Sequence, residues 1–246
     1  MLFVTHVTDA CGLNLNNSFS KTTLTLMLNH AMQEALFFDL GLVKYQRVYS
    51  LQKRLVELVA EGSFQQTLLL LEHFPVYTVG LSGSEKPLEG VQALKVDRGG
   101  DVTYHGPGQL VGYPIFRLKS RRVSRYIRKL EESLVILLKK YSIEGVIKEG
   151  YPGVWVEKEK IASIGVRIKG NVSYHGFALN VTVDLNAFQC IRPCGIDVTM
   201  TSMQNLLSGE ISMPQVKRDY VKAFEKCFDV GLKQESANLL ERVFSL

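Results

Sequence analysis

Apolar residues recur along the chain in two rhythms, and their succession predicts its elements. Residues 35–42 form a short apolar stretch of strand length, and residues 67–71 and 76–79 are two more, separated at Pro75. Between them Val48, Leu51, Leu55, Leu58 and Val59 return at helical spacing, so residues 45–60 read as a helix that Gly62 stops. A second stripe (Ile127, Leu130, Leu134, Leu137, Leu138 and Tyr141) predicts a helix over residues 123–141. A third (Val216, Tyr220, Ala223, Phe224 and Cys227) predicts one over residues 214–228, with Pro214 in its first turn and Cys227 in the core.

Residues 160–183 hold the most specific local pattern. Two extended runs flank Gly170-Asn171, a two-residue hairpin signal. A turn there sets Ile168 opposite Ser173, Val166 opposite His175, Ile164 opposite Phe177, Ala162 opposite Leu179 and Lys160 opposite Val181. Strict alternation then puts Lys160 and His175 on the face that otherwise collects Ala162, Ile164, Val166, Phe177 and Leu179. A lysine and a histidine are thus expected where a sheet normally buries hydrocarbon.

Strands alternate with helices without repeats or low-complexity linkers. The fold class expected is α/β of the α+β type, a single domain in which a mixed sheet is packed by helices. Boundaries are expected at an N-terminal extension over residues 1–31, poorly ordered, then a domain over residues 32–230 and a C-terminal tail over residues 231–246.

Composition narrows the function classes. With 46% hydrophobic and 22% charged residues among 246, the chain is an ordinary globular one, not a disordered or fibrous one. Its net charge of +5 suits acidic partners and is too small to argue for nucleic acid. No apolar run reaches the roughly 18 residues that a membrane span requires. Cys11, Cys190, Cys194 and Cys227 show neither metal-ligand spacing nor a disulfide framework, which suits a reducing compartment. Lys21 is the only Lys or Arg in residues 1–31, so a bacterial cytoplasm fits better than a mitochondrial matrix, the alternative.

Two segments carry candidate chemistry. Residues 98–114 hold five glycines and two prolines in 17 positions, letting backbone approach a ligand closely, with Arg98, Thr103, His105 and Gln109 as polar groups. The bland reading is a tight connection between strands, and no phosphate-loop motif is present. Cys194 sits in an Arg-Pro-Cys-Gly turn, whereas Cys190 reads as packing. A thiol becomes a nucleophile when a neighbouring cation lowers its pKa, and Lys160, on an otherwise apolar face, is a candidate. His105 and His175 each precede a glycine and read either as bases or as hydrogen-bonded structural groups. His73 carries little weight. Lys119, Arg121, Arg122, Arg125, Arg128 and Lys129 form a cationic run at a helix start, against the macrodipole, which suggests a solvated face or a dock for an acidic partner.

The block Arg98-Gly-Gly-Asp-Val-Thr-Tyr-His105-Gly-Pro-Gly-Gln resembles the signature of the octanoyl-[acyl-carrier-protein]:protein N-octanoyltransferases. So do Gly153-Val-Trp155, Lys160-Ile-Ala-Ser-Ile-Gly165, His175-Gly-Phe-Ala-Leu-Asn180 and Phe188-Gln-Cys-Ile-Arg-Pro-Cys-Gly195. The resemblance implies a lipoate/biotin protein ligase-like catalytic fold and needs no cofactor and no metal. It implies that Cys194 takes an octanoyl group from octanoyl-acyl-carrier protein as a thioester while Lys160 handles protons. The acceptor would be a lysine of lipoyl domains of 2-oxoacid dehydrogenases or of glycine cleavage H protein. It assigns substrate binding to Arg98, Gly99, Gly100, Asp101, Val102, Thr103, Tyr104 and His105, to Ser163, Ile164 and Gly165, and to Gly176, Phe177 and Ala178, with backbone N–H groups as oxyanion donors. Gln109 and Asn180 match the family behind that layer. The rival enzyme reading is an ATP-dependent lipoate/biotin protein ligase, which needs no nucleophilic cysteine. A non-catalytic binding module needs neither Cys194 nor Lys160.

Overall fold

The computed structural model describes residues 33–83, 92–118, 122–191 and 198–244. The expected extension over residues 1–31, the cations Lys119 and Arg121, and Cys194 lie outside them. The first strand, β1 (Gln33–Val43), runs into helix α1 (Tyr45–Glu61), which ends at Gly62 in the left-handed region with its N–H bonded to the Leu58 and Val59 carbonyls. Strands β2 (Thr67–His73) and β3 (Val76–Val79) follow, then β4 (Ala93–Lys95), β5 (Val102–His105) and β6 (Gln109–Ile115). Helix α2 (Val123–Lys140) leads to β7 (Val146–Lys148), β8 (Tyr151–Val156) and the hairpin β9 (Glu159–Lys169) and β10 (Val172–Asn180). After a 3₁₀ turn over Leu185–Cys190 come a one-turn helix α3 (Met203–Leu206), α4 (Met213–Phe228), β11 (Val230–Gln234) and α5 (Ala237–Phe244).

Eight strands make one mixed sheet in the order β11-β1-β2-β6-β10-β9-β8-β7, parallel where β1 meets β11 and β2 and antiparallel elsewhere. One face packs α2 and α4 through Leu130, Leu134, Val216, Tyr220 and Phe224. The other packs α1 and Leu240 of α5 through Val48, Leu51, Leu55 and Val59. A small sheet, β4-β3-β5, closes a third cluster with Phe188, Ile191 and Met200. The expected α+β architecture is present, built from the three periodic helices.

One boundary and the burial of two cysteines differ from expectation. Residues 231–246 are not a tail within the described part, because β11 pairs with β1 from Gln33–Val230 to Phe37–Gln234 and extends the sheet. Its five residues carry too short a pattern to register against the helix before it. Cys227 is only partly buried, at the outer end of the α4 stripe, and Cys190 is exposed instead of packed. The hairpin has the register the turn signal predicts from Ile168–Ser173 to Ala162–Leu179, with Gly170 and Asn171 both at positive φ. It departs at two points, and both belong to the site.

Candidate active site

The first departure is at Lys160. Trp155 of β8 pairs with Lys160 while Val154 pairs with Ala162, leaving Ile161 as a β-bulge. Ile161 and Ala162 are consecutive yet both lie in the α2/α4 core, so alternation breaks there. Lys160 is turned out of that core into a cavity, 2% exposed, where Nζ donates to the Pro152 carbonyl at 3.1 Å and stands 4.9 Å from the Trp155 ring centre. The expected pairing with Val181 is replaced by backbone bonds to residues 199–201: Lys160 N–H donates to Thr199 O, and Thr201 N–H donates to Lys160 O.

The second departure is at His175, whose φ of 54° lies in the left-handed region. Alternation assigned it to the face of Phe177, but its ring stacks on Tyr49 and Tyr174, on the side of α1. Its backbone N–H donates to Gln52 Oε1 at 2.7 Å, and Nε2 donates to Asp97 Oδ1 at 3.0 Å. Asp97 also accepts from the hydroxyls of Tyr49 and Tyr174, at 2.7 and 2.6 Å. Burial alone raises the Asp97 carboxyl, but these three donors outweigh it and hold it well below the usual carboxylate range. His175 is brought down to about 4, because burial disfavours the imidazolium more than Asp97 supports it. The neutral ring therefore carries its hydrogen on Nε2. Its Nδ1 lone pair is buried and meets no partner among the described residues.

Between these residues runs an open cavity. Its floor is made by small residues: Ser163 opposite Ala178, and Gly165 opposite Gly176. A Cβ on Gly176 would lie 2.1 Å from Gly112 O, and one on Gly165 would lie 2.7 Å from Gly99 O, so glycine is needed for close backbone approach. The loop from Arg98 to Thr103 forms the roof. Arg98 is held by Thr78, whose carbonyl and hydroxyl accept from Nη2 at 2.8 and 2.9 Å. Gly99 N–H is spent on Val166 O, so it is not free as an oxyanion donor.

Of the sequence-predicted site residues, Arg98, Gly99, Gly100, Asp101, Val102, Thr103, His105, Lys160, Ser163, Ile164, Gly165, Gly176, Phe177 and Ala178 share this cavity. Tyr104 does not. Strand alternation in β5 turns it the other way, against Tyr77 and Phe188 at 5.1 and 5.6 Å between ring centres. Gln109 stands behind His105: its Nε2 donates to Asn180 Oδ1 and the Tyr104 carbonyl, so its Oε1 accepts from His105 Nδ1 at 2.7 Å.

Sequence reasoning missed Tyr45, His73, Asp97 and Tyr113. His73 Nδ1 donates to Val43 O, so its Nε2 accepts the Tyr113 hydroxyl at 2.8 Å. Burial keeps His73 neutral, near 4, and pushes the Tyr113 hydroxyl well above the usual phenol range. The available signals were His73 at the end of an apolar strand and Tyr113 among residues 98–114. Asp97, next to Arg98, had no local mark. Among the described residues no cluster of His, Cys, Asp or Glu suits a metal ion, and no helix is long and apolar enough to cross a membrane.

Residues 44–225 match the lipoyl protein ligase A/B catalytic domain family. An octanoyltransferase of Syntrophotalea carbinolica is 47% identical over 199 residues, 79% of this chain and 94% of the relative. One from Geotalea uraniireducens is 44% identical over 78% of this chain and 92% of its own length. The chain belongs to the octanoyltransferase family. Its fold is also that of lipoate-protein ligases. A bi-partite lipoate protein ligase from Thermoplasma acidophilum superposes with a TM-score of 0.68 at 14% identity, covering 87% of this chain and 92% of that one. Lipoate-protein ligase A bound with ATP superposes with a TM-score of 0.67 at 13% identity, covering 87% and 95%. At such identities the ligases share the fold, whereas the octanoyltransferases share the sequence. The octanoyltransferases are acyltransferases, and residues of the 98–105, 160–165 and 175–180 blocks that resemble them line the cavity just described.

A second cavity lies at the start of α2. Arg117, Arg122, Arg125 and Lys129 line it over Phe116 and Phe228. Arg128 leaves the cationic run to pair with Glu131, whose Oε1 accepts Gly153 N–H.

Proposed function

We propose that the chain moves an octanoyl group from octanoyl-acyl-carrier protein to a lysine of a lipoyl domain through a thioester on Cys194. Lys160 takes the Cys194 proton as sulfur attacks the octanoyl carbonyl carbon. The carbon–sulfur bond to the carrier breaks, and the departing thiolate receives that proton. The acceptor amine then attacks the Cys194 thioester, an amide forms, the Cys194 thiolate leaves, and the amine proton returns through Lys160.

The observation that carries this reading is the buried Lys160, aimed by the Ile161 bulge into a cavity floored with glycine and alanine. Thr199 and Thr201, five and seven residues after Cys194 in the sequence, are bonded to the Lys160 backbone. The slot suits an apolar chain, because its floor offers carbon and backbone already paired in the sheet. The relatives' name supports octanoyl as the group moved. The acceptors we assign are lipoyl domains of 2-oxoacid dehydrogenases and glycine cleavage H protein, and the compartment is a bacterial cytoplasm, in keeping with bacterial relatives.

Intact-protein mass spectrometry after incubation with octanoyl-acyl-carrier protein, without ATP or acceptor, tests the reading. A single hydroxylamine-labile octanoyl adduct at Cys194, cleared by added lipoyl domain, is expected. Acceptor modification that requires ATP and free acid, with no adduct on the enzyme, would transfer the case to the ligase chemistry of the fold neighbours.

A further inference from the structure

The slot has a floor of carbon and a far end that is polar. From Ser163 and Gly165 on β9 it crosses Ala178 and Gly176 on β10 and reaches β6, where Gly112 pairs with Phe177 and Tyr113 comes next. Two strand spacings make that crossing about 10 Å. An extended eight-carbon chain, with zigzag bonds of about 1.5 Å each, has a similar length.

Beyond the floor the walls change character. Tyr45, Tyr113, His105 and His175 stand together there, and none is more than 5% exposed. They are held rigidly. The Tyr45 ring stacks on His105 at 5.8 Å and lies 4.8 Å from His73, which accepts the Tyr113 hydroxyl. Behind His105 is Gln109, and behind His175 is Asp97. Each group's position is over-determined by partners outside the slot, so the wall does not yield to a longer chain by side-chain rotation. At its edge His175 Nδ1 is an acceptor that no described residue satisfies. That atom is itself buried, so an added methylene meets filled space at this edge and not water.

We infer that this tyrosine–histidine wall is the chain-length stop of the acyl slot: it admits eight carbons and rejects longer acyl groups. The inference rests on the reading above, in which the thioester carbon lies at the Lys160 end and the methyl end meets the wall. It makes Tyr45 and Tyr113 specificity-determining residues rather than parts of the proton-transfer machinery. Rejection by lost space should lower the rate by roughly tenfold to a hundredfold for a chain several methylenes too long.

The test is the rate of Cys194 acylation by a series of acyl thioesters from butanoyl to dodecanoyl, followed by intact mass, for the wild type and two variants. The wild-type rate should peak at octanoyl and fall at least tenfold by dodecanoyl. Tyr45→Ala, which removes a wall ring, should move the peak to decanoyl or dodecanoyl. Ala178→Val, which narrows the floor in mid-slot, should move the peak toward butanoyl. A wild type that accepts dodecanoyl as fast as octanoyl overturns the wall even if neither variant folds. So does a Tyr45→Ala protein with an unchanged profile. Failure of every thioester to acylate Cys194 would instead sink the covalent mechanism.

Discussion

Lys160 lies face-on to Trp155, with Nζ 4.9 Å from the ring centre, in a space where almost none of the lysine reaches solvent. When Lys160 carries the proton, holding the charge there costs desolvation, which the ring quadrupole and the Pro152 carbonyl help to offset. In the proposed mechanism this lysine is the group that handles the proton. Lys160→Met, similar in volume and uncharged, should therefore lower octanoyl transfer by about 10²–10⁴-fold and leave thermal stability equal or higher. Steady-state rates and a melting curve on the same preparation check both halves. A variant that loses stability and activity in parallel would make Lys160 structural.

The close approach of β10 to β6 predicts a sharp contrast between two glycines. Gly176→Ala places a methyl 2.1 Å from the Gly112 carbonyl oxygen, a backbone atom fixed in the sheet. We expect a loss of about 1–3 kcal/mol. Gly231→Ala on β11 meets nothing within 4 Å and should change stability by less than about 0.5 kcal/mol. Urea midpoints measured side by side decide the matter.

Acid should weaken the fold before the carboxylates titrate. His73 and His175 are each brought from 6.5 to about 4 by burial, so the native state binds fewer protons than the unfolded chain between those values. Stability is then complete above about pH 6.5 and falls as pH drops toward 4, by a few kcal/mol in all. Asp97, held below its usual range, adds a further loss at lower pH still, once the unfolded carboxyl begins to protonate. Urea unfolding at pH 7 and pH 5 should show the decline. Because Gln does not titrate, His73→Gln should shrink the difference between the two pH values. An unchanged difference would mean that His73 is not the group responsible.

Arg122 and Arg125 stand at the first turns of α2, beside a cavity floored by Phe116 and Phe228. Cations there oppose the helix dipole, a cost consistent with an acidic docking partner such as the acyl carrier. Arg122→Glu combined with Arg125→Glu should raise KM for octanoyl-acyl-carrier protein by about tenfold at low salt and flatten its salt dependence. KM for a small octanoyl thioester should stay constant. Equal effects on both donors would locate the damage in the slot.

Much of this was legible before any coordinates. Periodicity placed the three long helices within a residue or two, because each buries one continuous stripe. Gly170-Asn171 set the β9–β10 register, because a two-residue turn with both φ positive leaves little freedom in the pairing that follows. Motif resemblance collected the polar residues of the Arg98–His105 block onto one roof, with Tyr104 the exception that strand alternation explains. Local pattern was silent about β11, whose five residues make a strand only because β1 offers an edge.

What the amino-acid order determined by itself was therefore the set of elements, the hairpin register and the chemical inventory of the slot. Tertiary structure decided where the two polar residues of that hairpin point. Alternation would have put Lys160 and His175 on the core face. Lys160 is turned by the Ile161 bulge that pairing with β8 imposes, and His175 by a left-handed backbone that Gln52 and Asp97 hold. Both causes reside in residues distant along the chain or in a neighbouring strand, which a period of two within one strand cannot register. Tyr45, His73 and Tyr113 likewise meet only when α1, β2 and β6 are brought side by side.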